Sequence, residues 1–221
     1  FDVVESELQP EKDNLRDIDI LVIADPLEAF EEWELEQLSD YIDRGNNLIV
    51  AGEPKHDEHL APVLEKFGLR YVPGTLVQPM EEYPADLLVV RSTLAGARLS
   101  RVNAGWRRMI FTMPGAMGID SVADKGFRMV PLLVSRDSGC WNELETSDFV
   151  NETVRLNPAA GEREAQMVTA MALERECNGR NQRVLVLGDA DCISMGELSA
   201  ARRGIRASNF SLIQGAFCWL S

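Results

Sequence analysis

Three short apolar runs in this chain meet an acid within two residues of their ends. Ile18 to Ala24 leads to Asp25, Asn47 to Ala51 to Glu53, and Arg183 to Leu187 to Asp189, with Asp191 close behind. Carboxylates gathered in this way can hold a divalent cation, or act as an acid and a base on one substrate. Short acids at such places also cap helices and close turns, so the residue types leave both roles open. His56 and His59, the only two histidines, stand three apart in Lys55-His56-Asp57-Glu58-His59. On a helix they would lie on neighbouring faces and could share a metal. The zincin pattern needs four-residue spacing, and a solvated helix start accounts for the same residues.

A nucleophile is harder to find. The chain has no GxSxG or GxCxG elbow. Cys192 follows a strand in Gly188-Asp189-Ala190-Asp191-Cys192, a placement comparable with a strained nucleophile turn. Two neighbouring acids, however, raise a thiol's pKa, and Cys192 reads as a buried structural cysteine. Cys140, Cys177 and Cys218 form no CxxC pair and no metal spacing, and they leave the redox compartment open. Gly115-Ala116-Met117-Gly118 lacks the spacing and the Lys-Ser/Thr of a P-loop, and the Rossmann fingerprint is missing. No cofactor is expected.

Charge narrows the partners. With 22 Lys+Arg against 36 Asp+Glu, the 221-residue chain carries a formal −14. That field repels nucleic acid and anionic membrane surfaces. One stretch runs the other way: Leu87 to Ile119 holds no acid but five arginines, Arg91, Arg98, Arg101, Arg107 and Arg108. They could form a docking face for an acidic partner, or be ordinary solvated side chains. Arg202, Arg203 and Arg206 repeat the question on a smaller scale.

The elements that would position these groups alternate. A buried strand over 18–24 precedes a helix over 30–44, with acids crowding its start and Gly45 after its end. A second strand over 47–51 completes a βαβ unit, which implies parallel pairing. A helix over 57–67 ends at Gly68 and feeds a strand over 69–72. Further strands are predicted over 87–91, 109–112, 127–134, 166–173 and 183–187. Residues 135–163 form a long polar excursion. Ser208 or Asn209 should cap a last helix whose stripe is Phe210, Ile213, Phe217 and Leu220. The whole reads as one α/β domain over residues 1–221, a doubly wound and mostly parallel sheet with helices on both faces. No stretch approaches the ~18 apolar residues of a membrane span, and no signal peptide is visible at the N-terminus. The chain opens on Phe1-Asp2-Val3-Val4 and reads as a piece of a longer protein.

The strings themselves resemble a known group. "IDILVIADPLEAFEEWELEQLSDYIDRGNNLIVAGEP", Ile18 to Pro54, is similar to the gliding-motility-type (GldG-like) auxiliary domain of bacterial ABC transport systems. That family has a "DP" after the first strand, a helix closed by glycine, and then an apolar strand. "VPLLVSRDSGCWNELE", Val130 to Glu145, resembles its strand followed by a serine-containing turn and a tryptophan. Gln166 to Arg175 falls at its strand of alternating alanines. "RVLVLGDADCIS", Arg183 to Ser194, resembles its strand ending in Gly-Asp, and Asn209 to Leu220 its closing helix. Cys192 departs from the pattern, which usually has an aromatic there.

The resemblance implies a three-layer αβα fold similar to class I glutamine amidotransferases and flavodoxin-like proteins, without the catalytic cysteine. It further implies a periplasmic domain of an inner-membrane protein, anchored through helices outside this sequence, beside a permease and an ATPase. No catalytic residues carry over. The expected function is a non-enzymatic accessory domain that binds a partner protein or a ligand such as a saccharide. Two alternatives stand beside it: a hydrolase using Asp25, Glu53, Asp189 and Asp191, and a small-ligand sensor.

Overall fold

A computed structural model describes every residue except 1, 6, 11, 13, 100 and 101. The first half follows the alternating pattern. Strand β1 (Ile20–Ala24) leads into helix α1 (Glu32–Asp43), then β2 (Asn47–Ala51), α2 (Asp57–Phe67) and β3 (Leu69–Tyr71). Helix α1 starts at a capping box: the Glu31 side chain accepts from the N3 main chain while Glu34 accepts from the Glu31 N–H at 2.8 Å. Helix α2 stops at Gly68, whose φ of 71° suits the left-handed closing position.

The middle holds β4 (Thr75–Val77), β5 (Leu87–Ser92), the short α3 (Leu94–Ala97), a 3₁₀ segment at Val102–Arg108, β6 (Phe111–Pro114), β7 (Ile119–Ser121), β8 (Arg128–Val134) and β9 (Trp141–Glu143). A 3₁₀ turn at Pro158–Ala160 precedes β10 (Val168–Cys177) and β11 (Arg180–Leu187). Another at Asp191–Ile193 precedes α4 (Met195–Ser199) and α5 (Asn209–Leu220).

Seven strands form the main sheet in the order β1-β2-β11-β10-β8-β5-β6. Pairing is parallel in β1·β2 and β2·β11, as the βαβ pattern predicts, and antiparallel in the other four pairs. The sheet is therefore mixed. The reason is local: β10 and β11 are joined by Asn178 and Gly179 alone, with φ of 51° and 74°. That two-residue turn chemistry can only reverse the chain. Two small antiparallel pairs, β3·β7 and β4·β9, lie outside the main sheet, and β9 orders part of the polar excursion over 135–163.

Alternate residues of β2 feed two cores. Leu48 and Val50 pack with Leu38, Tyr41 and Ile42 of α1 and Leu60, Val63, Leu64 and Phe67 of α2. Ile49 and Ala51 pack with Leu212, Ala216, Trp219 and Leu220 of α5, together with Trp106 and Phe111. Helices thus lie on both faces of the sheet. Helix α5 is turned differently from the predicted stripe: Leu212, Gly215, Ala216, Trp219 and Leu220 are buried, while Phe210 is 69% exposed. Its cap also differs. Ser208 makes no side-chain capping bond, and the Asn209 side chain turns away to bond β6.

Candidate functional site at the strand ends

The parallel end of the sheet sets the carboxyl ends of β1, β2 and β11 side by side, the usual ligand position in sheets of this type. Asp25, Glu53, Asp189 and Asp191 all sit here. Main-chain bonds knit the three ends together: Asp25 N–H donates to Ala51 O at 2.9 Å, and Gly52 N–H to Leu187 O at 3.3 Å. Leu187 O also accepts from the buried Tyr71 hydroxyl at 2.8 Å. Gly188 is required at the turn, because a Cβ there would stand 2.1 Å from Met117 O.

Asp189 is fully buried, and its Oδ1 accepts from the Cys192 N–H at 3.1 Å. No donor reaches Oδ2. The neighbouring acid is Glu53, whose carboxyl interacts with that of Asp189. Two carboxylates cannot donate to one another, so a proton on Asp189 is what makes this contact favourable. Burial first, and then the Glu53 charge, push the Asp189 carboxyl well above the usual carboxylate range. Glu53 is raised too, chiefly by burial, but less freely. Its Oε1 accepts from the Ala190 N–H at 2.8 Å and the Asp191 N–H at 3.2 Å, and both bonds favour the charged form. Both carboxyls of the pair are thus pushed up, Asp189 the further of the two. Asp191 itself is exposed.

Asp25 is drawn elsewhere. Its Oδ1 lies 2.8 Å from His56 Nδ1, and its φ of 42° places a non-glycine residue in the left-handed region just before Pro26. His59 Nδ1 lies 2.9 Å from Pro26 O; a carbonyl only accepts, so that nitrogen carries the hydrogen. The two histidine rings stack with centroids 5.8 Å apart. Each therefore spends Nδ1 on the segment that follows β1, which pins α2 to it.

Cys192 is fully buried, and its thiol donates to Asp189 O at 3.1 Å. Burial and the surrounding acids hold that thiol well above its ordinary value, the opposite of an activated nucleophile. Burial also raises Cys140. All four cysteines are free thiols.

The arginines lie away from the strand ends. Arg91 on β5, Arg98 after α3, and Arg107 and Arg108 on the 3₁₀ segment are exposed and make no ion pair with a described residue. Arg101 lies outside the described residues. Arg202 is not free: its Nη1 and Nη2 grip the buried Glu197 at 2.6 and 2.7 Å. Glu197 also accepts from the Thr112 hydroxyl. Asn209 completes the network, accepting from the Thr112 N–H at 3.0 Å and donating to the carbonyls of Thr112 and Cys192. Sequence spacing carries no sign of this network, whose members stand up to 97 residues apart.

Among the described residues one acid group has the spacing of a cation site: Glu143, Glu145 and Glu162, with ligand atoms within 4.8 Å of one another. Their oxygens already accept from the main chain at Leu144, Glu145, Thr146 and Asn157 and from the Asn157 side chain, so they order the 144–162 loop. The strand-end acids do not have that spacing. No helix among the described residues is long and apolar enough to cross a membrane.

The fold and this geometry define an α/β domain in which two of the strand-end acids, Glu53 and Asp189, are bonded into the turn that follows β11. The sequence model of the family described as "ABC-type uncharacterized transport system" matches residues 1–211, and the chain belongs to that family. It is an auxiliary component of ABC transport. Among solved structures it is similar to one described as the mmIFT52 N-terminal domain. The TM-score is 0.67 at 18% identity, over 98% of this chain and 82% of that one. At that identity the likeness is one of fold. No curated protein matches the chain.

Proposed function

We propose that this chain is a non-enzymatic, extracytoplasmic accessory domain of an ABC transporter, held beside a permease and an ATPase through partner contacts. The observation that carries the reading is the family match over residues 1–211. The strand ends support it. Asp189 is sealed from solvent, Glu53 is bonded to the turn it faces, and the one nearby thiol is held in its protonated form. A three-layer architecture similar to class I glutamine amidotransferases fits the cores on both sheet faces. The exposed arginines Arg91, Arg98, Arg107 and Arg108 are the proposed contact for an acidic partner, and a saccharide at the strand ends is the proposed alternative ligand.

The test is a reporter fused after Ser221 in the parent protein, with protease accessibility on intact cells, followed by co-purification with the permease and ATPase. An outside signal with co-purification is expected. A cytoplasmic signal overturns the location, and loss of both partners in mild detergent overturns the role.

The second reading is a hydrolase, favoured by the one specific observation that Glu53 and the buried Asp189 lie together at the strand ends with both carboxyls pushed up, as in an acid/base pair. Asp189→Asn and Asp25→Asn separate the two. Both variants should retain the permease in co-purification. A hydrolytic activity that disappears in them would establish the enzyme instead.

A further inference from the structure

The main sheet has two edges, and the molecule treats them differently. At β6 the edge is closed. Ile110 bridges to Ala207, Ser208 N–H donates to Ile110 O at 2.9 Å, and Asn209 bonds both the N–H and the C=O of Thr112. At β1 the edge is open: it is the terminal strand, and no described strand lies on its outer side. Asp25 N–H points inward to Ala51. The pleat therefore turns the main-chain groups of Val22 and Ala24 outward.

An open edge invites pairing, and proteins usually blunt it with Lys, Pro, a bulge or a covering element. Strand β1 reads Ile20-Leu21-Val22-Ile23-Ala24 and contains none of these. Val22 is 42% exposed on a strand that is apolar throughout. Beside it runs an apolar groove between the sheet and α5, lined by Val22, Ile49, Leu187, Ile193 and Ile213. Exposed Phe210 continues the Ile213 side of α5 by one turn.

Charge selects the occupant. Residues 16–32 hold one cation, Arg16, against six acids: Asp17, Asp19, Asp25, Glu28, Glu31 and Glu32. Asp17, Asp19 and Glu28 are exposed on either side of the strand. A second copy would bring the same acids edge to edge on a chain of formal charge −14, which opposes self-pairing. We infer that β1 accepts an extended segment of a partner protein as an added strand, apolar at alternate positions and flanked by Lys or Arg. Main-chain bonds to Val22 and Ala24 hold it, the groove takes its apolar side chains, and the flanking acids choose its charge. The inference rests on the partner-binding reading above, and names the surface and the chemistry of the partner.

Two arms test it. In the first, this domain is titrated with synthetic ten-residue peptides of alternating Val and Thr, flanked by paired Lys or by paired Glu. Amide exchange is followed residue by residue. The Lys-flanked peptide should slow exchange at Val22 and Ala24 by about tenfold or more, and bind about tenfold tighter than its Glu-flanked twin at low salt. No protection at Val22 and Ala24 at millimolar peptide, or equal binding of the twins, overturns the inference. Protection without peptide that grows with protein concentration assigns the edge to a second copy and also overturns it. In the second arm, Ala24→Pro, which removes only an outward N–H, is placed in the parent protein after its melting temperature is checked. Wild type that co-purifies with the permease while Ala24→Pro does not supports the edge. Equal retention sinks the edge and leaves the accessory role standing. No retention of wild type sinks that role, and the peptide arm still decides the edge.

Discussion

The Asp189 carboxyl gives the strand ends their pH dependence. Unfolded, it ionises near pH 4; folded, it keeps its proton to a higher pH because it is buried and faces Glu53. Between those values the folded chain binds more protons, so stability falls as pH rises. The contribution is fully present below about pH 4 and lost as pH passes the folded value, and Glu53 works in the same direction. Urea midpoints at pH 5 and pH 8 should show it. Asp189→Asn, which mimics the protonated acid, should flatten the slope and raise the urea midpoint at pH 8. A wild type equally stable at both pH values would mean that folding does not raise the Asp189 carboxyl. The candidate acids were legible in the sequence as strand-end residues. That Asp25 would leave the group for His56 was not, because that choice depends on where α2 begins in space.

At the scale of elements, α5 and the strand-end turn carry the sharpest expectations. Asn209 bonds β6 and Cys192 O at once, so Asn209→Ala leaves buried main-chain groups unpaired and should cost about 2–4 kcal/mol. Asn209→Asp should cost at least as much, since an oxygen would replace the donor to two carbonyls. Denaturant titration ranks the pair, with faster amide exchange at Thr112 as the local signature. Gly188→Ala should cost about 3 kcal/mol or more, because its Cβ meets the Met117 carbonyl rather than a movable side chain. Stability unchanged in Gly188→Ala would contradict the turn geometry. Helix α5 also shows why its face was misplaced by pattern alone. With Phe210, Leu212, Ile213, Ala216, Phe217, Trp219 and Leu220 it is apolar nearly all round, and periodicity cannot choose a side.

For the whole molecule, the sign of the charge on each surface matters more than its total. The exposed arginines make no ion pairs with described residues, so Arg107→Glu with Arg108→Glu should leave stability within about 0.5 kcal/mol. Co-purification of the permease should weaken and become less salt-dependent if that face docks an acidic partner. Unchanged retention would remove the arginines from the contact. The acidic β1 edge asks for the opposite partner charge, so the two surfaces can be scored separately in one set of pull-downs.

The sequence by itself determined the parallel βαβ half, the glycine-closed helices and the family, because these depend on residues close together in the chain. It also held the signal for reversal at β10–β11, in Asn178-Gly179, a turn chemistry stronger than the alternation around it. Only the tertiary structure decided the strand order, the closing of β6 by Asn209, the Arg202–Glu197–Thr112 network and the meeting of Glu53 with the buried Asp189. Each joins residues tens of positions apart, and burial, which no local pattern encodes, sets both which polar groups must pair and which carboxyl keeps its proton.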